Sequence, residues 1–111
     1  MNCIYCNKEL VQTKSSPTEF NSYSCSNTTC GHIFIIHVVE NEITWFSTTI
    51  NAENIEYAFY GSKKANLFKI SQNLSSSHII YQSSFIKTTL PELKSLLEYY
   101  LNRVTKLKAF S

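Results

Sequence analysis

Four cysteines, all within the first 30 residues, constrain this chain more than any other feature of its sequence. Two residues separate Cys3 from Cys6, eighteen residues follow, and four residues separate Cys25 from Cys30. Zinc prefers four tetrahedral soft ligands, and two cysteine pairs joined by a hairpin can deliver them with little backbone strain. The spacing therefore predicts one zinc site in a ribbon-type knob formed by residues 1–39.

The ligand set predicts a structural ion, because four thiolates close the coordination shell that a catalytic zinc keeps open. One alternative ligand is His32, which could replace Cys30 if the second turn is tight. Another alternative is a thioredoxin-type redox pair at Cys3 and Cys6, which needs a preceding strand and a helix that begins at the first cysteine. Only two residues precede Cys3, so the metal site is favoured.

The remaining sequence predicts several strands followed by one helix. Short segments rich in β-branched and aromatic residues alternate with polar breaks, at residues 10–11, 20–25, 32–39, 43–50, 55–60, 65–70 and 78–86. Short consecutive strands favour an antiparallel meander. Thr89 and Glu92 match a capping box, Pro91 suits a first helical turn, and apolar residues then recur every three or four positions to Leu107.

We therefore expect an α+β fold in which the four-cysteine zinc ribbon is continuous with an antiparallel sheet and the final amphipathic helix packs on one sheet face. A chain of 111 residues fits a single domain, so residues 1–39 and 40–111 should form one compact unit. The helix has heptad-like spacing over too few heptads for a coiled coil, which favours packing on the sheet over dimerisation. A monomer and a homodimer both stay open.

Charge and hydropathy restrict the partners. No apolar run approaches the ~20 residues that cross a bilayer, and no secretory signal is apparent, so we expect a cytoplasmic protein without a membrane partner. The net charge of +2 falls to about zero when four thiolates bind one Zn²⁺. Near-neutral charge and a single arginine, Arg103, argue against a protein that mainly grips a phosphate backbone.

The sequence offers little catalytic chemistry. It contains no aspartate and only two glycines, so it has neither a Ser-His-Asp triad nor a glycine-rich phosphate loop. His37 and His78 lie in strand-like segments without a nearby nucleophile, and we expect both to be structural or half-exposed. We predict that the chain is not an enzyme.

One segment favours nucleic acid as an alternative partner. Between Tyr57 and Lys69, aromatic residues alternate with lysines, a composition that can stack single-stranded bases. The simpler interpretation places Phe59 and Phe68 in the core and the pair Lys63 and Lys64 in a solvated turn. The near-neutral charge favours the simpler interpretation.

The overall layout resembles a known class. An N-terminal Cys-x2-Cys pair, the segment from Tyr23 through Cys30 to Phe34, a series of strands and a leucine-rich helix starting near Thr89 are similar to small zinc-ribbon proteins among bacteriophage accessory genes. The resemblance implies a non-catalytic interaction module that binds and modulates a host protein in the host cytoplasm. The alternative function is a nucleic-acid-binding zinc-ribbon protein.

Overall fold

A computed structural model describes residues 2–14, 21–25, 27, 30, 33–52, 54–73 and 77–109. It contains one antiparallel sheet of seven strands in which neighbours in sequence are also neighbours in space. The strands are β1 (Val11–Lys14), β2 (Asn21–Ser24), β3 (Phe34–Val39), β4 (Glu42–Ala52), β5 (Ile55–Ser62), β6 (Leu67–Asn73) and β7 (Ser77–Ser83). A single helix, α1 (Leu90–Ala109), follows them. The predicted α+β meander is confirmed.

Asparagines form several of the turns in this glycine-poor chain. Glu40 and Asn41 join β3 to β4 with φ angles of 50° and 66°, the left-handed pair that a two-residue hairpin requires. Asn54, just before β5, and Asn66, just before β6, have φ angles of 65° and 51°. Asparagine tolerates this conformation better than most residues. Tight hairpins therefore form without glycine.

Alternation along the strands divides the sheet into two faces. In β3, Phe34, Ile36 and Val38 are buried while the side chains between them are partly exposed. The covered face carries buried side chains from four central strands, among them Phe34, Ile36, Phe46, Thr48, Tyr57, Phe59, Phe68 and Ile70. The opposite side, called the open face below, carries His37, Trp45, Tyr60 and Lys69. The core lies on the covered face.

Helix α1 packs on the covered face through the apolar side of its periodic pattern. Leu93, Leu97 and Val104 are at most 3% exposed and belong to the same apolar cluster as the sheet residues. The ring of Tyr100 lies 5.0 Å from that of Phe68, measured between centroids. This arrangement confirms the prediction that the helix packs on one face of the sheet.

The helix begins where the capping signal predicted. The Thr89 hydroxyl donates a hydrogen bond of 2.8 Å to the Glu92 carboxylate, and the backbone N–H of Leu93 donates to the Thr89 carbonyl. Glu92 also lies in the first turn, where the helix dipole favours negative charge. Local sequence therefore defines the start of α1.

Gly61 is required because no side chain fits at this position, not because of its backbone conformation. It lies on the covered face of β5 opposite Phe46 in β4 and Phe68 in β6. A Cβ atom at this position would lie 2.3 Å from Cε1 of Phe46. The missing side chain lets the buried Phe46 ring lie against the strand backbone.

Most strand boundaries differ from the predicted ones by one to three residues, and one division is untested. The last strand ends at Ser83, so residues 85–86 do not belong to it, whereas the prediction extended it to residue 86. Phe85 N–H instead donates a hydrogen bond to the Asn66 side chain, which holds this segment as a connection to α1. Strand β1 begins at Val11 rather than Leu10. The division at residues 39 and 40 stays a prediction.

Candidate metal centre

The β1–β2 hairpin brings the two cysteine pairs to one end of the sheet. β1 and β2 pair in antiparallel register with Val11 opposite Ser24. The segment before β1 therefore lies next to the segment after β2. Cys3 and Cys6 lie before β1, and Cys25 directly follows β2. The pairing of two short strands thus delivers both halves of the cluster.

All four thiols converge. The Sγ atoms of Cys3, Cys6, Cys25 and Cys30 lie within 4.8 Å of one another. Cys3 and Cys30 are 3.9 Å apart between Sγ atoms, and Cys6 and Cys25 are 3.6 Å apart. All four cysteines are free thiols, with Cys3 buried and the others partly exposed. The structure therefore contains a four-thiol cluster able to hold a metal ion.

Backbone hydrogen bonds shape the first cysteine pair. The N–H of Cys3 donates to the Lys8 carbonyl at 2.8 Å, and the N–H of Asn7 donates to the Cys3 carbonyl at 3.0 Å. Asn7 adopts a left-handed φ of 61°, which closes the turn. A backbone N–H of Lys8 hydrogen-bonds the Cys6 sulfur and lowers the Cys6 pKa to about 6. The turn therefore favours a thiolate at Cys6.

Cys25, in the second cysteine pair, has a different environment from Cys6. Burial is the main cause that raises the pKa of Cys25, and the neighbouring thiols of Cys6 and Cys3 raise it further. Opposite shifts at two thiols 3.6 Å apart mean that one can be a thiolate while the other stays protonated. A bound cation would favour the thiolate at both positions.

Tyr5 connects the cysteine cluster to the sheet. It lies between Cys3 and Cys6 in sequence, and its hydroxyl makes a hydrogen bond of 2.8 Å with the hydroxyl of the fully buried Thr48. Its ring packs edge-on against Phe34, with centroids 5.8 Å apart. Burial raises the Tyr5 pKa to about 12. The contacts of Tyr5 with Thr48 and Phe34 dock the knob on the covered face, beside the start of α1.

The structure brings the four predicted cysteine ligands together. The two alternatives, a His32 ligand and a redox pair at Cys3 and Cys6, have separate outcomes. His32 lies outside the described residues. The redox alternative needed a helix beginning at Cys3, but residues 4–6 form a turn. Sequence reasoning missed Tyr5 and Thr48. The position of Tyr5 between two closely spaced cysteines could have identified it from the sequence. No local sequence feature identifies Thr48.

The two histidines do not form a pair. His37 is in β3 and His78 in β7, with three strands between them, so their backbones are separated by about 19 Å at the usual strand spacing. His37 stacks on Trp45 with ring centroids 4.3 Å apart, and His78 is exposed. The expectation that both are structural or half-exposed fits His37 better than His78, since His78 is exposed outright.

Most aromatics of the segment from Tyr57 to Lys69 belong to the core. Tyr57, Phe59 and Phe68 have no exposed surface. Lys63 is in an exposed turn and forms an ion pair of 3.2 Å with Glu42. The simpler interpretation of Phe59 and Phe68 is confirmed. Tyr60 is therefore the one aromatic residue between Tyr57 and Lys69 that stays partly exposed.

Within the described residues, α1 does not have the length and apolar character needed to cross a membrane. The chain matches no protein-family model, no curated protein and no solved structure.

Proposed function

We propose that Cys3, Cys6, Cys25 and Cys30 bind one Zn²⁺ as a structural centre. The convergence of four thiols carries this proposal. A tetrahedral zinc with Zn–S bonds of about 2.3 Å places its sulfur ligands about 3.8 Å apart. The Sγ separations of 3.9 Å for Cys3 and Cys30 and 3.6 Å for Cys6 and Cys25 lie on either side of that value. The donor set, its spacing and the free thiols all suit the ion.

The zinc would stabilise a part of the fold that has little core of its own. β1 and β2 have four residues each, and short two-stranded hairpins are marginal in water. A metal bound across the hairpin ties the chain before β1 to the chain after β2. It thereby holds Tyr5 against the sheet. The ion is structural because all four ligand positions belong to the protein.

We further propose that the chain is a non-catalytic interaction module of the bacteriophage accessory type, and that its partner is a host protein. The closed ligand shell and the wide separation of His37 from His78 support a non-catalytic role. The resemblance in layout supports the phage origin. Exposed apolar side chains such as Tyr99, 58% exposed next to the half-buried Leu96, supply surface that a protein partner could cover.

Native mass spectrometry of protein purified without added metal tests the metal centre. We expect one zinc per chain and loss of that mass in Cys25→Ser. Ser24→Ala is the matched control, since Ser24 precedes Cys25 and offers no thiol, and it should keep the metal. A folded wild-type chain without metal, or equal metal content in both variants, would overturn the zinc proposal.

The same spectra test the interaction proposal. A host protein that co-purifies at a fixed ratio should appear as a complex of defined mass, and the isolated partner should rebind the purified chain. Turnover of a substrate by the metal-loaded protein would contradict the non-catalytic role.

A further inference from the structure

A row of rings crosses the open face of the sheet. His37, Trp45 and Tyr60 lie on the successive strands β3, β4 and β5, and Lys69 continues the row on β6. Ring centroids of His37 and Trp45 are 4.3 Å apart, and those of Trp45 and Tyr60 are 5.8 Å apart. The Lys69 ammonium lies 5.1 Å from the centre of the Tyr60 ring. The row is continuous across four strands.

This row remains accessible. All four side chains are only partly buried, and no helix or strand in the described part of the chain packs on the open face. Both the knob and α1 contact the covered face instead, through Tyr5 and Tyr100. The Trp45 and Tyr60 rings therefore keep surface in contact with water that a ligand can reach.

The row carries one positive charge, that of Lys69. Among the residues that the structure describes, no carboxylate lies within ion-pair distance of Lys69, whereas Lys63 pairs with Glu42. Small hydroxyl side chains such as Ser47 and Thr49 border the rings on the same face, so they do not block approach. A ligand that combines a flat aromatic group with a nearby negative charge matches this surface.

We propose that the open face binds single-stranded nucleic acid, with a base stacked on the Tyr60 ring and a phosphate held by Lys69. The Trp45 ring is 87° from the plane of Tyr60, so it contacts that base edge-on. A duplex keeps its bases stacked on each other, so only a single strand presents them to the rings. This function goes beyond the zinc-centred module, because it uses the face opposite the knob and does not depend on the metal.

Because the chain is nearly neutral, this binding should depend only weakly on salt concentration. One lysine contact releases few counterions, so the logarithm of the association constant should fall with the logarithm of salt concentration with a slope of about −0.7. Stacking contributes most of the affinity and is tolerant of base identity. Weak salt dependence distinguishes this surface from a basic groove.

Trp45 is the only tryptophan in the chain and therefore reports on the row directly. The test titrates the full chain, as purified, with oligothymidylate and oligouridylate of about ten nucleotides, within the usual site size for one domain. We expect saturable quenching of Trp45 fluorescence. Lys69→Gln should weaken binding about fivefold at about 0.1 M salt, the counterion contribution of one phosphate.

Lys64→Gln is the matched control, because it removes the same charge from an exposed turn and should change the affinity less than twofold. Tyr60→Leu should weaken binding at least about fivefold through lost stacking. Far-ultraviolet circular dichroism verifies that each variant is folded.

Several results would overturn the proposal. These are absence of saturable quenching, equal weakening by Lys64→Gln and Lys69→Gln, and binding of a duplex as tightly as a single strand. Quenching of Trp45 by a purified protein partner but by neither oligonucleotide would assign the open face to protein instead. Zinc content is measured separately, so failure here leaves the metal centre unaffected.

Discussion

Substitution of Tyr5 by phenylalanine tests how the cysteine knob is attached to the sheet. The change keeps the ring against Phe34 and removes only the hydroxyl that bonds Thr48 at 2.8 Å. Thr48 has no exposed surface, so water cannot replace the lost partner. Leaving one buried hydroxyl unsatisfied costs about 1–3 kcal/mol. We expect Tyr5→Phe to lower the free energy of unfolding by that amount.

The size of the thermal effect follows from the length of the chain. An unfolding entropy of about 2.1 cal/mol/K per residue gives about 0.23 kcal/mol/K for a chain of 111 residues. The melting temperature should therefore fall by about 4–13 °C. Circular dichroism during heating measures this shift on metal-loaded protein. Tyr99→Phe removes a hydroxyl from an exposed tyrosine and should leave the melting temperature unchanged.

A double-mutant cycle isolates the bond itself. Thr48→Val removes the other hydroxyl at nearly constant volume, and removal of both partners can be close to neutral. The double variant Tyr5→Phe, Thr48→Val should therefore be more stable than Tyr5→Phe alone. The reasoning fails if the two single effects add within about 0.5 kcal/mol, because independent sites behave in that way.

Three further predictions concern the core, the helix and alkaline pH. Gly61→Ala should destabilise the fold by about 1–3 kcal/mol, because the added Cβ would overlap a Phe46 ring atom. Urea denaturation measures this loss. An unchanged denaturation midpoint would contradict the close packing of Phe46 on Gly61. Leu97→Ala should cost about 2–5 kcal/mol while Tyr99→Ala costs little, and equal losses would contradict the assigned helix face. The Tyr5 pKa is raised from 10.0 to about 12 in the fold, so its contribution to stability is complete below pH 10 and is lost as pH rises toward 12. Tyr5→Phe should remove that part of the alkaline loss in the pH dependence of unfolding.

Sequence predicted the features that depend on local spacing. The two cysteine pairs indicated a shared site because two pairs joined by a hairpin deliver four soft ligands to one ion. The helix was predictable because Thr89 and Glu92 lie next to a regular apolar pattern. The antiparallel meander was predictable because its connections are too short for parallel crossovers. These properties need no knowledge of distant contacts.

Which aromatic residues enter the core was decided by the tertiary structure. Phe59 and Tyr60 are adjacent, so alternation places them on opposite faces but does not say which face the helix covers. Contact of α1 with Phe68 and its neighbours buries the Phe59 side and leaves Tyr60 on the open face.

A bulge decided the position of Trp45. Ile43 and Trp45 are two residues apart, so simple alternation places both on the same face. The register between β3 and β4 shifts after His37, which pairs with Trp45, while Val38 pairs with Ile43. Thr44 is the extra residue, so Ile43 faces the core and Trp45 reaches the open face. Sequence supplied the tryptophan and the cysteines, but strand register, which depends on pairing across the sheet, determined what each of them can contact.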